Sequence, residues 1–264
     1  MPKLDSYRPG TPSYVELVTP DQHASASFYA DVFGWDITED PLPEEAGGGV
    51  YLMGRLQGDA VCGISPQMTG PAGHPAFWGV YLTVEDVDAA AAKVAGAGGS
   101  LEAGPFDVMD LGRMAAVKDP TEARVNLWQA KGSIGTERAN EPGTPIWNEL
   151  VSPDVPKALE FYAQVVGTGS QTMDMGEGAT YTSITDVDGR TVGGAVAPMM
   201  PDVPPHWNVY FNVTDADATA ARIGELGGST LAPNFDVPGV GRMGFFADPQ
   251  GAMFAIMQAP DTQE

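Results

Sequence analysis

The chain is poor in the residues that anchor metals and crosslinks. Among its 264 residues there is one cysteine, Cys62, and there are three histidines, His23, His74 and His206. A single cysteine excludes an intramolecular disulfide framework and a cysteine-based zinc site, and it fits a reducing compartment. Basic residues are also scarce: 13 Lys and Arg against 35 Asp and Glu leave a formal charge of −22. Nucleic acid and anionic membranes need a basic footprint, so neither is expected as a partner. No run approaches the roughly 18 apolar residues of a membrane span, and the first ten residues hold no apolar signal core. A cytoplasmic protein is the expectation.

Glycine (33) and proline (23) are plentiful and act as punctuation, which argues for many short elements joined by tight turns. The same punctuation repeats. Gly10-Thr11-Pro12 returns as Gly143-Thr144-Pro145, Phe28-Tyr29-Ala30 as Phe161-Tyr162-Ala163, and Gly34 as Gly167, all at an offset of 133. Trp78 returns as Trp207, Phe106-Asp107-Val108 as Phe235-Asp236-Val237, Gly112-Arg113-Met114 as Gly241-Arg242-Met243, and Asp119-Pro120 as Asp248-Pro249, at an offset of 129. The simplest account is a duplicated unit with one four-residue deletion (133 − 129 = 4) between Tyr162 and Trp207.

Within a unit, Ser13 to Thr19 alternates as a half-buried strand does. Asp21 to Phe33 reads as a helix with an Ala24–Phe28–Val32 stripe and Tyr29 and Phe33 beside it, capped by Thr19 or Asp21 and ended by Gly34. Three short strands follow, and the second half of the unit repeats the order from Phe77. The expected plan is strand, helix, strand, strand, strand, written four times. It gives one domain over residues 8–131, a polar linker over 132–142 and a second domain over 143–260.

These motifs carry a resemblance. A helix ending in Phe-Tyr shortly before Gly-aromatic (Phe28-Tyr29, Gly34-Trp35), a strand running into Val84-Glu85-Asp86, and Asp248-Pro249-Gln250-Gly251 before the last strand resemble the vicinal-oxygen-chelate superfamily of glyoxalases, bleomycin-resistance proteins and dioxygenases. The first copy departs from the last motif, with Glu122 where the second has Gly251. The order of the motifs is similar to actinobacterial two-domain proteins labelled glyoxalase or hydroxylase, some encoded beside anthracycline-type biosynthetic genes. The resemblance implies an α+β fold of tandem glyoxalase-like domains, each made of two βαβββ units forming an open, cup-shaped mixed sheet. It also implies a divalent ion held by His, Gln or Glu at three inward positions, acting as a Lewis acid.

At those positions this chain carries Tyr14, Gly79 and Asn126 in the first copy, and Trp147, Asn208 and Ala255 in the second. Neither set supplies the three N/O donors of a catalytic divalent site, so no metal and no cofactor are expected. His206, one residue before Trp207, is the best placed histidine, with a structural role as its ordinary reading.

Strand alternation then names what faces inward. Glu16 joins Tyr14 and Glu149 joins Trp147, while Tyr81, Trp128, Tyr210, Met253 and Met257 complete the two linings. The candidate ligand-binding residues are Tyr14, Tyr81, Trp128, Trp147, Asn148, His206, Asn208, Tyr210, Met253 and Met257. Glu16 and Glu149 are the candidate catalytic acids, with Arg113 and Arg242 as possible counter-ions. A buried carboxylate is costly without a partner, and a desolvated one can act as a general base. A collapsed aromatic core is the bland alternative. Cys62 reads as an inert buried thiol, and Asp107 and Asp236 as hairpin caps.

Three functions compete. The first is metal-independent binding of a planar, apolar small molecule, for sequestration or carriage. The second is a metal-free enzyme acting on an aromatic polyketide-like metabolite. The third is a glyoxalase or dioxygenase with unusual ligands. The second repeat keeps Trp147, Asn148, Glu149 and Asn208 together and is the expected working site, in a monomer or homodimer.

Overall fold

The computed structural model describes residues 3–44, 48–67, 76–176, 179–200 and 203–260; His74 lies outside them. The first quarter holds β1 (Pro12–Thr19), α1 (Gln22–Phe33), β2 (Asp36–Pro41), β3 (Val50–Leu56) and β4 (Asp59–Pro66). The second holds β5 (Phe77–Thr83), α2 (Val87–Val94), β6 (Ser100–Val108), β7 (Gly112–Lys118) and β8 (Arg124–Ala130). The third holds β9 (Pro145–Val151), α3 (Val155–Val165), β10 (Gly169–Gly176), β11 (Ala179–Thr185) and β12 (Thr191–Val196). The fourth holds β13 (His206–Asn212), α4 (Ala216–Glu225), β14 (Ser229–Val237), β15 (Gly241–Ala247) and β16 (Met253–Gln258).

Two open sheets result, in the orders β2-β3-β4-β1-β5-β8-β7-β6 and β10-β11-β12-β9-β13-β16-β15-β14. In each, the two quarters meet where their first strands pair antiparallel, and each first strand also pairs in parallel with its own quarter's last. The central strands are thus those carrying Glu16 and Glu149.

The local signals explain the helices. Asp21 caps α1 by accepting from the Ala24 N–H at 3.0 Å, and Gly34 closes it with a φ of 76°. Thr19 does not cap it; its hydroxyl bonds Ser25 instead. The expected face holds at Phe28, Tyr29 and Phe33, with Val32 half-buried, and fails at Ala24. Ala24 is exposed, and Gln22, Ser25, Ala26, Phe28, Tyr29 and Phe33 face inward. The turn that departed from the family motif keeps its shape: Glu122 adopts a φ of 80° where Gly251 has 90°.

The repeats are not independent. Their helix-bearing faces pack together into one hydrophobic core, where Phe211 of β13 lies 4.7 Å from Phe33 and 5.1 Å from Trp78, ring centre to ring centre. The repeated motifs tie them crosswise. Tyr162 of α3 donates to Asp119 in the first repeat's Asp-Pro turn at 3.1 Å, and Tyr29 of α1 stands beside Asp248 of the second. Gln250 bonds the Ser25 hydroxyl at 2.6 Å. The connecting segment is docked as well: the Thr136 N–H reaches the Ser13 carbonyl at 2.8 Å, and Arg138 pairs with Asp59 at 2.7 Å. Among the described residues no helix is long and apolar enough to cross a membrane.

Candidate functional site

On β1 the buried residues Ser13, Val15, Leu17 and Thr19 alternate with the partly buried Tyr14, Glu16 and Val18. Val15 and Leu17 enter the shared core, so Tyr14 and Glu16 face the opposite, inner side of the sheet. Glu16 lies level with Gly63 on β4 and Gly79 on β5. Hydroxyls fill the space over Gly63, and the Asn126 amide stands over Gly79. Tyr81 donates to the Glu16 carboxylate at 2.5 Å, the Tyr51 and Ser65 hydroxyls face the same group, and Tyr51 shares a 2.9 Å hydrogen bond with Tyr14. Burial pushes the Glu16 carboxyl above its ordinary value, and the three hydroxyls hold it partly back. Gly63 is required here: a Cβ on it would overlap the hydroxyls of Tyr51 and Tyr14.

The second repeat rebuilds the motif with fewer donors. Glu149 lies level with Gly194 and Asn208. Tyr210 donates to it at 2.8 Å, Tyr181 faces it, and the Trp147 indole N–H donates to Tyr181 at 3.0 Å. Burial raises the Glu149 carboxyl too, opposed by the two tyrosines and then by the nearby His206. His206 contacts Asn208 Oδ1 at 2.9 Å and the Pro204 carbonyl at 2.7 Å. Beside this polar floor, Tyr210, Met243, Ala255 and Met257 form a separate apolar cluster against which Trp147 and Phe245 pack. Phe235 stacks on Phe245 at 6.3 Å, and Met253 sits at the rim, 41% exposed.

The structure brings together most of the residues singled out from sequence. Tyr14, Glu16 and Tyr81 share the first cup, and Trp128 contacts Tyr81 edge-on at 6.1 Å while donating to the Ser133 carbonyl. Trp147, Glu149, His206, Asn208, Tyr210 and Met257 gather in the second. Asn148 is a correction. It pairs in register with Val209 of the shared core, so alternation turns it away from Glu149, and its Oδ1 is buried without a partner. Arg113 and Arg242 are another. They lie outside the cups, Arg113 bound to Asp88 and Asp107 and Arg242 to Asp217 and Asp236. Hence Asp107 and Asp236 hold arginines instead of capping turns, and tyrosine hydroxyls replace the expected counter-ions. Cys62 is fully buried, and burial pushes its thiol up.

Tyr51 and Tyr181, with Gly63 and Gly194, are the site residues sequence reasoning missed. Their offsets, 181 − 51 = 130 and 194 − 63 = 131, also show that the length difference between copies is spread over more than one connection.

Comparison with known proteins adds a lineage. The model of the Glyoxalase/Bleomycin resistance protein/Dioxygenase superfamily matches residues 11–127 and 146–256. "Putative glyoxylase CFP32" of Mycobacterium tuberculosis is 46% identical over 264 residues, the whole of both chains. "Anthracycline biosynthesis protein DnrV" of Streptomyces peucetius is 34% identical over 97% of this chain and 95% of its own. Among solved structures, a 4-hydroxymandelate synthase mutant from Streptomyces coelicolor superposes with a TM-score of 0.62 at 14% identity, covering 98% of this chain and 95% of its own. The Mn(II)-bound glyoxalase from Novosphingobium aromaticivorans gives 0.62 at 18%, covering 97% and 86%. At such identities the superpositions speak for the fold alone.

A metal bound as in such folds does not suit the donors present. Among the described residues no three His, Cys, Asp or Glu side chains converge. Of the six inward positions, Tyr14 is engaged by Tyr51, Trp147 by Tyr181 and Asn208 by His206, Gly79 and Ala255 offer no side-chain donor, and the amide of Asn126 alone falls short of the three donors needed.

Proposed function

The chain belongs to the glyoxalase/bleomycin resistance protein/dioxygenase superfamily, and from that membership we propose that its second cup encloses a planar, largely apolar small molecule without the help of a metal ion, for sequestration or carriage. The observation that carries this reading is the Glu149–Tyr210–Tyr181 cluster set beside a wall of Trp147, Phe245, Met243 and Met257. Rings and thioethers suit a flat, polarisable guest, and one carboxylate with its hydroxyls fixes the guest's orientation through a ligand hydroxyl. A net charge of −22 favours a neutral or cationic guest over an anion. The relative named for anthracycline biosynthesis suggests the class: a hydroxylated polycyclic aromatic.

The test is a titration with 1,8-dihydroxyanthraquinone read by tryptophan fluorescence. Saturable quenching, weakened about tenfold by Glu149→Gln, is expected from losing a charged hydrogen-bond acceptor. No quenching, or affinity indifferent to Glu149→Gln, contradicts the reading. So does a stoichiometric transition metal coordinated by the inward positions of the purified protein.

One observation favours a second reading, in which the cup also performs acid–base chemistry. Burial raises the Glu149 carboxyl, which makes its ionised form a stronger base than an exposed carboxylate, and Tyr210 stands within hydrogen-bond reach of it. The role of Glu149 would be to remove an acidic C–H or O–H proton from a guest and deliver it elsewhere on the same molecule. Glu149→Gln would then abolish turnover while leaving measurable binding.

A further inference from the structure

A cavity lies beside the two cups, between the repeats. It has a volume of about 240 Å³ and opens between the first strands of the two repeats, β1 and β9, where the amino-terminal segment and the connecting segment cross them. Equivalent positions of the two copies line it together: Ser13 with Ile146, Tyr14 with Trp147, and Val15 with Asn148. In a chain so rich in acids, none of its described lining residues is acidic, basic or histidine.

Its polarity is placed asymmetrically. Where one copy has Ile146 the other has Ser13, and where one has Val15 the other has Asn148. Ser13 is 1% exposed and Asn148 8%, and both Ser13 Oγ and Asn148 Oδ1 are buried in the wall without a hydrogen-bond partner. The other repeat shows that an aliphatic side chain serves at each of these positions. Two unpaired oxygens therefore cost stability that the fold does not require. The space also exceeds what ordered water needs. Engineered apolar cavities of about 150 Å³ accept benzene, whereas one water occupies about 30 Å³ of liquid.

We propose that this inter-repeat cavity is a binding site for a neutral, single-ring compound bearing a hydroxyl, separate from the cups. The ring would lie among Val15, Ile146 and the flanking prolines, and the hydroxyl would engage Ser13 Oγ and Asn148 Oδ1 after a small adjustment of the wall. Tyr14 and Trp147 contact both this cavity and the cup hydroxyls, so an occupant touches a residue of each cup.

Phenol serves as the probe, with the full-length protein. Calorimetry and a crystal structure at saturating phenol are expected to give one molecule in the cavity. Ala139→Phe, which fills the space from the connecting segment without altering either sheet, should weaken phenol binding at least about tenfold. Asn148→Leu provides the independent check: it should raise Tm by removing an unpaired buried oxygen and yet lower phenol affinity. Only water in the cavity at saturating phenol, affinity unchanged by Ala139→Phe, or Asn148→Leu binding phenol as tightly as the wild type would each overturn the proposal.

Discussion

The two cups share a frame and differ in how completely they satisfy their one acid. In the first, Glu16 faces three hydroxyls, and a fourth, from Tyr14, is bonded to one of them. In the second, Glu149 faces two hydroxyls and a histidine, Ser65 has no counterpart facing the acid, and the space beside it is walled by methionine and phenylalanine. Three hydroxyls occupy most of the roughly four acceptor sites of the Glu16 carboxylate, whereas two leave more of Glu149 unengaged. The proposed guest would use the acceptor capacity left on Glu149 beside the apolar wall. Duplication supplied the frame twice, and divergence on the inner faces left Glu16 with more hydroxyl partners than Glu149.

The largest effect should come from the side the cups share. Phe211→Ala removes a ring that contacts Phe33, Trp35, Trp78 and Phe254, and should cost about 4 kcal/mol. Both repeats should unfold in one calorimetric transition. Two separated transitions would break the view of a common core.

Next come the glycines. Gly63→Ala forces apart the Tyr51 and Tyr14 hydroxyls and should cost about 2 kcal/mol, measured by denaturant unfolding. Gly194→Ala meets one hydroxyl and an indole nitrogen at 3.2 Å, and should cost less. Equal costs would mean the two clusters are equally tight.

The acids sharpen the comparison through pH. Burial raises both carboxyls in the folded state, so folding favours their protonated form. That contribution is fully present below the unfolded value near 4.5 and is lost as pH rises through the folded one. Relative to wild type, Glu16→Gln and Glu149→Gln should therefore gain stability as pH climbs from about 4 to 7, a trend read as the difference in Tm. A difference that does not change with pH would deny the desolvation of these groups.

The smallest effect lies in the Asp-Pro turns. Glu122→Gly relieves a left-handed residue at the place where Gly251 already stands, and it gives up only an exposed contact with Lys118. A gain of about 0.5–1 kcal/mol is expected in chemical denaturation.

Much of this was legible in the sequence. The repeated turn residues set out four strand–helix–strand–strand–strand quarters, and period-two alternation from Tyr14 and Trp147 correctly turned Glu16, Tyr81, Glu149 and Tyr210 inward. Alternation also argued against Asn148, adjacent to Glu149, and grouping residues by chemistry overrode it. Tyr51 and Tyr181 escaped because they lie where the offset between copies drifts, so the repeat did not align them. Arg113 and Arg242 were misassigned because strand spacing cannot say which acids a helix brings alongside; Asp88 and Asp217, on α2 and α4, take them. The crosswise ties between α1, α3 and the opposite turns depend on how the sheets stack, which no local pattern encodes.

The most direct measurement is a crystal structure of the protein with 1,8-dihydroxyanthraquinone. The ring system should lie in the second cup against Trp147 and Met257, with a hydroxyl on Glu149 and no ion between them. Dye held only in the first cup, or joined to the protein through a coordinated metal, would contradict the account.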